Sequence, residues 1–283
     1  MYTDLQTCCR KHPDLDVCVN FASFRSSYAA TMELINDTPI KTIAVIAEGI
    51  PERDTRVMNV AAKKAGKWII GPATVGGVAA GQFRVGNAAG TIENIVSCKM
   101  HRPGSIGFVS KSGGLSNEMY NVCGQNADGI YEGVAIGGDR YPGTQFMDHL
   151  SRYEKNPAIK MIVILGEVGG TQEYEIVEAL KDGTLTKPVV ARCTGTCASA
   201  FKTEIQFGHA GARADAAAET APAKNAALKE AGAYVPASFN DFGKLINEVY
   251  KKLQSEGVIG EEPVVEPRSL PMDFSVALAK GLV

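Results

Sequence analysis

Short β-branched, apolar runs alternate with segments of helical patterning along most of this chain. Such an order is typical of parallel sheets whose strands are joined by crossover helices. The runs are almost continuously apolar, which favours strands that are covered by helices on both faces. The predicted strands are 16–21, 41–47, 67–71, 105–109, 129–136, 160–165 and 188–192, and the predicted helices are 26–35, 55–65, 116–126, 172–181 and 217–231.

A turn-rich segment at 101–104 is the best candidate for a domain boundary. It predicts one α/β unit over residues 1–103, a second over 104–255, and a linker or tail over 256–283, where Pro and Glu are frequent. The first convincing strand begins at Asp16, which leaves no room for an opening strand–helix unit with a glycine fingerprint. We therefore expect the first domain to be partial, and the chain to be a piece of a longer protein or a split subunit.

Composition excludes several classes of function. The formal net charge of −2 provides no electrostatic basis for binding nucleic acid or a membrane surface. No apolar run approaches the roughly 20 residues that a membrane-spanning helix needs, and neither GxGxxG nor GxxxxGK[ST] occurs, which argues against an autonomous dinucleotide or nucleotide site. The seven cysteines form no CxxC pair or zinc-binding pattern, so we predict reduced thiols, a cytoplasmic location and no metal site.

One histidine stands in a segment of small residues, FGHAGA at 207–212. Glycine and alanine neighbours leave the imidazole of His209 accessible and let the backbone bend sharply. A neutral imidazole can accept a phosphoryl group, act as a base or bind a metal. A loop histidine without chemistry is the alternative that this segment alone leaves open.

Glycine-bearing loops follow several predicted strands, at the sheet edge where open α/β folds bind ligands. Ser112, Gly113 and Gly114 open a predicted helix, whose free N–H groups would suit an anion. Glu167 ends another strand and could hydrogen-bond one nitrogen of His209, which would fix the tautomer of the ring. Each loop taken singly is a weak signal, because such turns are common for steric reasons.

Five motifs in order carry a family resemblance: IAEGIP (46–51), GPATVGG (71–77), SKSGGLSNE (110–118), GEVGG (166–170) and FGHAGA. Together they resemble the α subunits of succinyl-CoA synthetases. The forms of GPATVGG, IGGDRYPG (136–143) and FASFRS (21–26) are most similar to the synthetase α-like part of ATP-citrate lyases.

The resemblance implies a partial Rossmann-like, CoA-binding domain followed by a flavodoxin-like, doubly wound parallel-sheet domain. His209 matches the histidine that is transiently phosphorylated, and Glu167 matches its hydrogen-bonded glutamate. The family's phosphate- and citrate-binding helix start corresponds to Ser112, Gly113 and Gly114. The residues that match the CoA-contacting loops are Ser23, Arg25, Ser26, Glu48, Pro72, Ala73 and Thr74.

The implied reaction is ATP-dependent activation of citrate through phosphohistidine and citryl phosphate to citryl-CoA. It implies coenzyme A and MgATP, the latter bound mainly by an ATP-grasp module or subunit. It also implies a citrate-synthase-like lyase domain that cleaves citryl-CoA to acetyl-CoA and oxaloacetate, within a hetero- or homo-oligomer. Two alternatives stay open: the small subunit of a citryl-CoA or succinyl-CoA synthetase, and a CoA-binding or assembly module without catalysis.

Overall fold

The computed structural model describes residues 1–201, 203–262, 264–267 and 278–281. The strands in these ranges are β1 (Val17–Asn20), β2 (Thr42–Val45), β3 (Trp68–Ile70), β4 (Gly76–Ala79), β5 (Phe83–Gly86), β6 (Ile106–Ser110), β7 (Ile130–Ala135), β8 (Met161–Glu167) and β9 (Val189–Thr194). The helices are α1 (Leu5–Lys11), α2 (Phe24–Asp37), α3 (Glu52–Lys64), α4 (Ile92–Ser97), α5 (Gly113–Asn126), α6 (Phe146–Lys155), α7 (Glu173–Lys181), α8 (Ala221–Glu230) and α9 (Phe242–Ser255). All seven predicted strands and all five predicted helical segments are present.

The first sheet is parallel and has the order β1-β2-β3. Helices α2 and α3 cover one face, where Leu34 and Met58 pack with Ile43. The opposite face contributes Ala44 and Ile70 to the core of the second sheet. The two sheets therefore share a continuous apolar junction.

The second sheet has the order β5-β4-β7-β6-β8-β9, with β4 antiparallel to both of its neighbours and the remaining pairs parallel. Sequence analysis missed β4 and β5, because strands of four residues that contain glycine show no clear apolar alternation. Both strands precede residues 101–104 yet belong to the second sheet, so the chain changes sheets between Ile70 and Gly76. The domain boundary at 101–104 stays a prediction.

Helices cover both faces of the second sheet, as β8 illustrates. Its residues are all buried and point alternately to opposite faces. Met161 and Val163 lie in the core that includes α5 and α9, whereas Ile162 and Ile164 lie in the core that includes α6, α7 and α8. Strands buried on both faces explain why the sequence shows continuous apolar runs rather than alternation.

Four further observations bear on the sequence-based expectations. Helices α1, α4, α6 and α9 were not predicted. The seven cysteines are all unpaired in the structure, and their reduced state stays a prediction. Within the described ranges, no helix has both the length and the apolarity to cross a bilayer.

The predicted tail at 256–283 lies partly outside the described residues. In its described part, Glu262 pairs with Lys99 at 2.8 Å and with Arg102.

Candidate active site

The central feature of the site is a hydrogen bond between two side chains 42 positions apart in the sequence. Nδ1 of His209 lies 2.8 Å from Oε2 of Glu167, the last residue of β8. The carboxylate side chain is 8% exposed and the imidazole 27%, so the ring is the part that solvent or a substrate can reach. Because a carboxylate can only accept, Nδ1 carries the proton and the neutral ring keeps a free lone pair on Nε2.

The surroundings of His209 also change its protonation. The hydrogen bond to Glu167 is the main cause of a raised pKa of His209, and the charge of Glu48 acts in the same direction. Partial burial of the ring and the positive charge of Lys111 lower that pKa and so oppose the shift. Charges from three other loops thus act on one imidazole.

Backbone hydrogen bonds connect the loops that follow β2, β3 and β7 to the loop of His209. The N–H of Ala73 donates to the carbonyl of Ala47 at 2.9 Å, and the N–H of Gly138 donates to that of Ala73 at 3.1 Å. The N–H of Gly211 then donates to the carbonyl of Gly138 at 3.1 Å. These bonds bring three of the five motif loops to one edge of the two sheets.

Gly138 also lies directly behind the imidazole. A Cβ atom at this position would lie within 2.6 Å of Nδ1 of His209 and would overlap Cγ and Cδ2. Real Cβ contacts are never that short, so the observed ring position requires glycine here. Sequence analysis did not single out Gly138, although the paired glycines after an apolar strand were a visible signal.

Helix α5 begins at the predicted SGG segment, and its role as an anion site stays a prediction. Ser112 is the N-cap, and its Oγ accepts from the N–H of Leu115 at 3.4 Å. Gly113 is buried against Val75, whereas nothing lies within 4 Å of a Cβ added at Gly114. Within the described residues the N–H groups of both glycines lack a protein acceptor, so they are available to an anion.

Lys111, next to this helix start, was missed by the sequence analysis. The residue is 3% exposed, and no hydrogen bond or ion pair joins its Nζ to another described residue. Nζ lies 4.0 Å from a Cβ added at Gly170, in the loop that follows Glu167. It is not one of the fully enclosed polar atoms that lack a partner, so a positive charge remains accessible beside the helix start and would attract an anion bound there.

The predicted CoA-contacting residues lie after β1 and β2. Ser23, Arg25 and Ser26 are exposed at the start of α2, and the two serine hydroxyls are 3.2 Å apart. The guanidinium of Arg25 lies over the ring of Phe24, 4.8 Å from its centroid, without a carboxylate partner among the described residues. Glu48 is exposed in the loop after β2.

The last predicted group lies in the GPATVGG loop. Pro72 and Ala73 lie between the two sheets, next to Ala47 and Gly138. Thr74 is buried; its hydroxyl donates to the carbonyl of Ala135 and accepts from the N–H of Gly76. This loop joins the sheets, and its CoA contacts stay a prediction.

Replacing Glu167 with glutamine should remove a pH-dependent contribution to stability. Because the pKa of His209 is raised in the folded protein, the charged pair contributes fully below about pH 6.5. That contribution is lost as pH rises through the raised pKa. We expect Glu167→Gln to lower the free energy of unfolding by about 1.5–3 kcal/mol at pH 5.5, typical of a hydrogen bond to a charged group. Urea unfolding of the wild type and the variant at pH 5.5 and 8.5 measures the change in the free energy of unfolding. An equal decrease at both pH values would contradict the charged pair.

Comparison with known proteins agrees with this geometry. The model of the CoA-ligase family matches residues 109–234, the segment that holds α5, Glu167 and His209. ATP-citrate synthase subunit 1 of Sordaria macrospora is 56% identical over the whole chain, and ATP-citrate synthase of Homo sapiens is 54% identical. The structure of ATP citrate lyase from Methanothrix soehngenii in complex with citrate and coenzyme A superimposes with a TM-score of 0.94 at 54% identity.

Fold, site and family match show an α/β module in which residues 109–234 form a CoA-ligase domain. All of its residues align with a part of ATP-citrate synthases and of an ATP citrate lyase, at 54–56% identity. These three relatives each cover the whole chain, but the chain spans only 42% of the Sordaria subunit, 26% of the human protein and 46% of the Methanothrix chain.

Proposed function

We propose that this chain is the phosphohistidine module of an ATP-citrate lyase and that His209 carries a phosphoryl group from ATP to citrate. The observation that carries the proposal is the bond between Glu167 and His209, which leaves Nε2 free in a reachable ring. Further support comes from the relatives, which are ATP-citrate synthases, and from the archaeal lyase whose structure holds citrate and coenzyme A.

In the first step, Nε2 of His209 attacks the γ-phosphorus of MgATP presented by an ATP-grasp partner. A nitrogen–phosphorus bond forms, the bond to the bridging oxygen breaks, and ADP leaves. The ring must be neutral to attack, and it becomes positive as the new bond forms. Glu167 offsets that positive charge through the proton on Nδ1.

In the second step, a carboxylate oxygen of citrate attacks the phosphorus, the nitrogen–phosphorus bond breaks, and citryl phosphate forms. The free N–H groups of Gly113 and Gly114, the N-cap Ser112 and the ammonium of Lys111 are suited to hold these anions. The CoA thiolate then attacks the acyl carbon, and phosphate leaves as citryl-CoA forms. A citrate-synthase-like lyase domain completes the reaction by cleaving citryl-CoA to acetyl-CoA and oxaloacetate.

For CoA, the proposed contacts are Ser23, Arg25, Ser26, Glu48 and the loop with Pro72, Ala73 and Thr74. The exposed start of α2 suits a CoA phosphate, since the guanidinium of Arg25 has no carboxylate partner in the described chain. We also propose assembly with the ATP-grasp module as a hetero- or homo-oligomer in the cytoplasm, where free thiols persist.

Arg25→Ala should weaken CoA binding about 10- to 100-fold in the complete enzyme. A hydrogen bond to a charged group contributes about 1.5–3 kcal/mol, and 1.4 kcal/mol corresponds to a factor of ten. Isothermal titration calorimetry with CoA measures the effect. Arg10→Ala on α1 is the matched control, because Arg10 is also exposed but bonds only Thr7. Equal affinities of the two variants would remove Arg25 from the CoA site.

The proposed function is tested by mixing the chain with an ATP-grasp partner and MgATP and measuring the intact mass for acid-labile phosphate. Discharge of that phosphate by citrate plus CoA, but not by succinate plus CoA, is the expected result. Discharge by succinate would favour a succinyl-CoA synthetase subunit instead. An associated partner without phosphorylation would favour a CoA-binding or assembly module. A citryl-CoA synthetase subunit would also be discharged by citrate plus CoA. It would release citryl-CoA as its product when no lyase domain is present.

A further inference from the structure

An ion pair that is almost completely excluded from solvent lies behind the catalytic loop. Nζ of Lys224 on α8 is 2.6 Å from Oε2 of Glu173, the first residue of α7, and the side chains are 0% and 1% exposed. Burying two charges is costly, and apolar replacements of such pairs are often as stable or more stable. Stability alone therefore gives little reason for this pair.

Both side chains of the pair also bond the backbone at the end of β8. Besides Glu173, the Lys224 ammonium donates to the carbonyl of Glu167 at 2.9 Å and to that of Gly169 at 2.6 Å. The other oxygen of Glu173 accepts from the N–H of Glu167 at 3.2 Å. The two side chains thus bond both backbone polar groups of the residue that orients His209.

This arrangement acts at the end of the sheet, where the last bond to β9 runs from the N–H of Val168 to the carbonyl of Thr194 at 2.9 Å. The register of β8 with β9 ends at Glu167, opposite Thr194. The approach of Glu173 also requires Gly166, because a Cβ added there would lie 2.7 Å from Oε1 of Glu173. Three elements, α7, α8 and the end of β8, therefore meet around the backbone of one residue, Glu167.

We propose that Lys224 and Glu173 are positioning residues that hold the carboxylate of Glu167 in line with Nδ1 of His209. We call them the Lys224–Glu173 clamp. The inference rests on the proposed function for the use of His209, although the orientation of the ring can be tested without phosphorylation. The pair is neutral as a whole, so its effect on His209 is geometric. The charged groups that act on the ring directly are Glu167, Glu48 and Lys111.

The test uses the full chain labelled with ¹⁵N-histidine, since four histidines give separable signals in long-range ¹H–¹⁵N spectra. The main variant is Glu173→Gln with Lys224→Met, which removes both charges without leaving either one unpaired. In the wild-type chain we expect neutral His209 to carry its proton on Nδ1 and to titrate above 6.5. In the variant we expect mixed tautomers and a lower pKa of His209 than in the wild type, because the bond to Glu167 is the main cause of the raised pKa.

Leu228→Ala is the matched control, because Leu228 is fully buried on the same helix but has no polar side-chain atom that could bond the backbone of Glu167. It should destabilise the chain while leaving the tautomer and the pKa of His209 unchanged. A folded double variant with the wild-type tautomer and pKa would overturn the proposal, and so would a control that changes them equally.

The single change Glu173→Asp covers the case in which the double variant does not fold. It keeps both charges, but its side chain is one methylene shorter, so its carboxylate cannot reach both Lys224 and the N–H of Glu167 as Glu173 does. We expect the pKa of His209 to fall below its wild-type value, and a folded variant that titrates as the wild type overturns the proposal.

A second measurement separates this proposal from the proposed function. With MgATP and the ATP-grasp partner, the double variant should form phosphohistidine about 10- to 100-fold more slowly, as expected for misplacement of a reacting group. The KM for ATP should not change. A wild-type chain that never becomes phosphorylated would refute the proposed function, while the spectra would still decide the role of the clamp.

Discussion

Replacing His209 with alanine should reduce phosphoryl incorporation from ATP to background while the chain stays folded. The variant removes the nucleophile, and no other nitrogen in the loop can replace it. The fold should persist because the ring is partly exposed and packs against Gly138 rather than in an apolar core. Intact mass after incubation with MgATP and the partner measures incorporation, and circular dichroism reports the fold.

His12→Ala is the control for this experiment, since His12 is exposed and bonds only Tyr2. It should incorporate phosphate as the wild type does. Incorporation in the wild type should also increase as the pH rises through the pKa of His209, because only the neutral ring attacks. Labelling that persists in His209→Ala would place the phosphoryl group on another residue.

Adding one methyl group at Gly138 should slow phosphohistidine formation by about 100-fold. The new Cβ would overlap the imidazole, so either the ring or the loop must shift by a substantial fraction of an ångström. Misplacement of a reacting group by about 1 Å can cost a factor of 10². The rate of phosphohistidine formation in Gly138→Ala, compared with that of the wild type, measures the effect.

Gly260→Ala is the matched control, because nothing lies within 4 Å of a Cβ added there. Neither glycine has a positive φ angle, so the two substitutions differ in steric contact rather than in backbone strain. If Gly138→Ala reacted at the wild-type rate, the close contact between Gly138 and the imidazole of His209 would not matter for catalysis.

Some features of the site were accessible from the sequence because they depend on neighbouring residues. The N-cap Ser112 followed by two glycines predicts a helix start with free N–H groups, and α5 begins there. Small residues around His209 predict an accessible imidazole, and the ring is partly exposed. The hypothesis that Glu167 bonds His209 came from its place at a strand end; the distance of 2.8 Å required the fold.

Other features could not be predicted because they join distant segments. In the sequence Lys111 resembles an ordinary polar loop residue, and only packing leaves it 3% exposed beside the start of α5. Lys224 lies in a helical pattern in which a lysine is normally exposed, yet it is 0% exposed and bonds a loop more than fifty positions earlier. The short strands β4 and β5 became visible only through their pairing with β7 and with each other.

The sequence by itself determined the α/β class, the order of the parallel strands along the chain and the identity of the motif residues. These follow from local periodicity and from the turn chemistry of glycine-rich loops. Only the tertiary structure decided which strand belongs to which sheet and how the loops meet at His209. It also explains why residue 138 must be glycine, and it shows that a buried ion pair bonds the backbone of Glu167. These depend on contacts between residues far apart in sequence, which the local pattern of a chain does not specify.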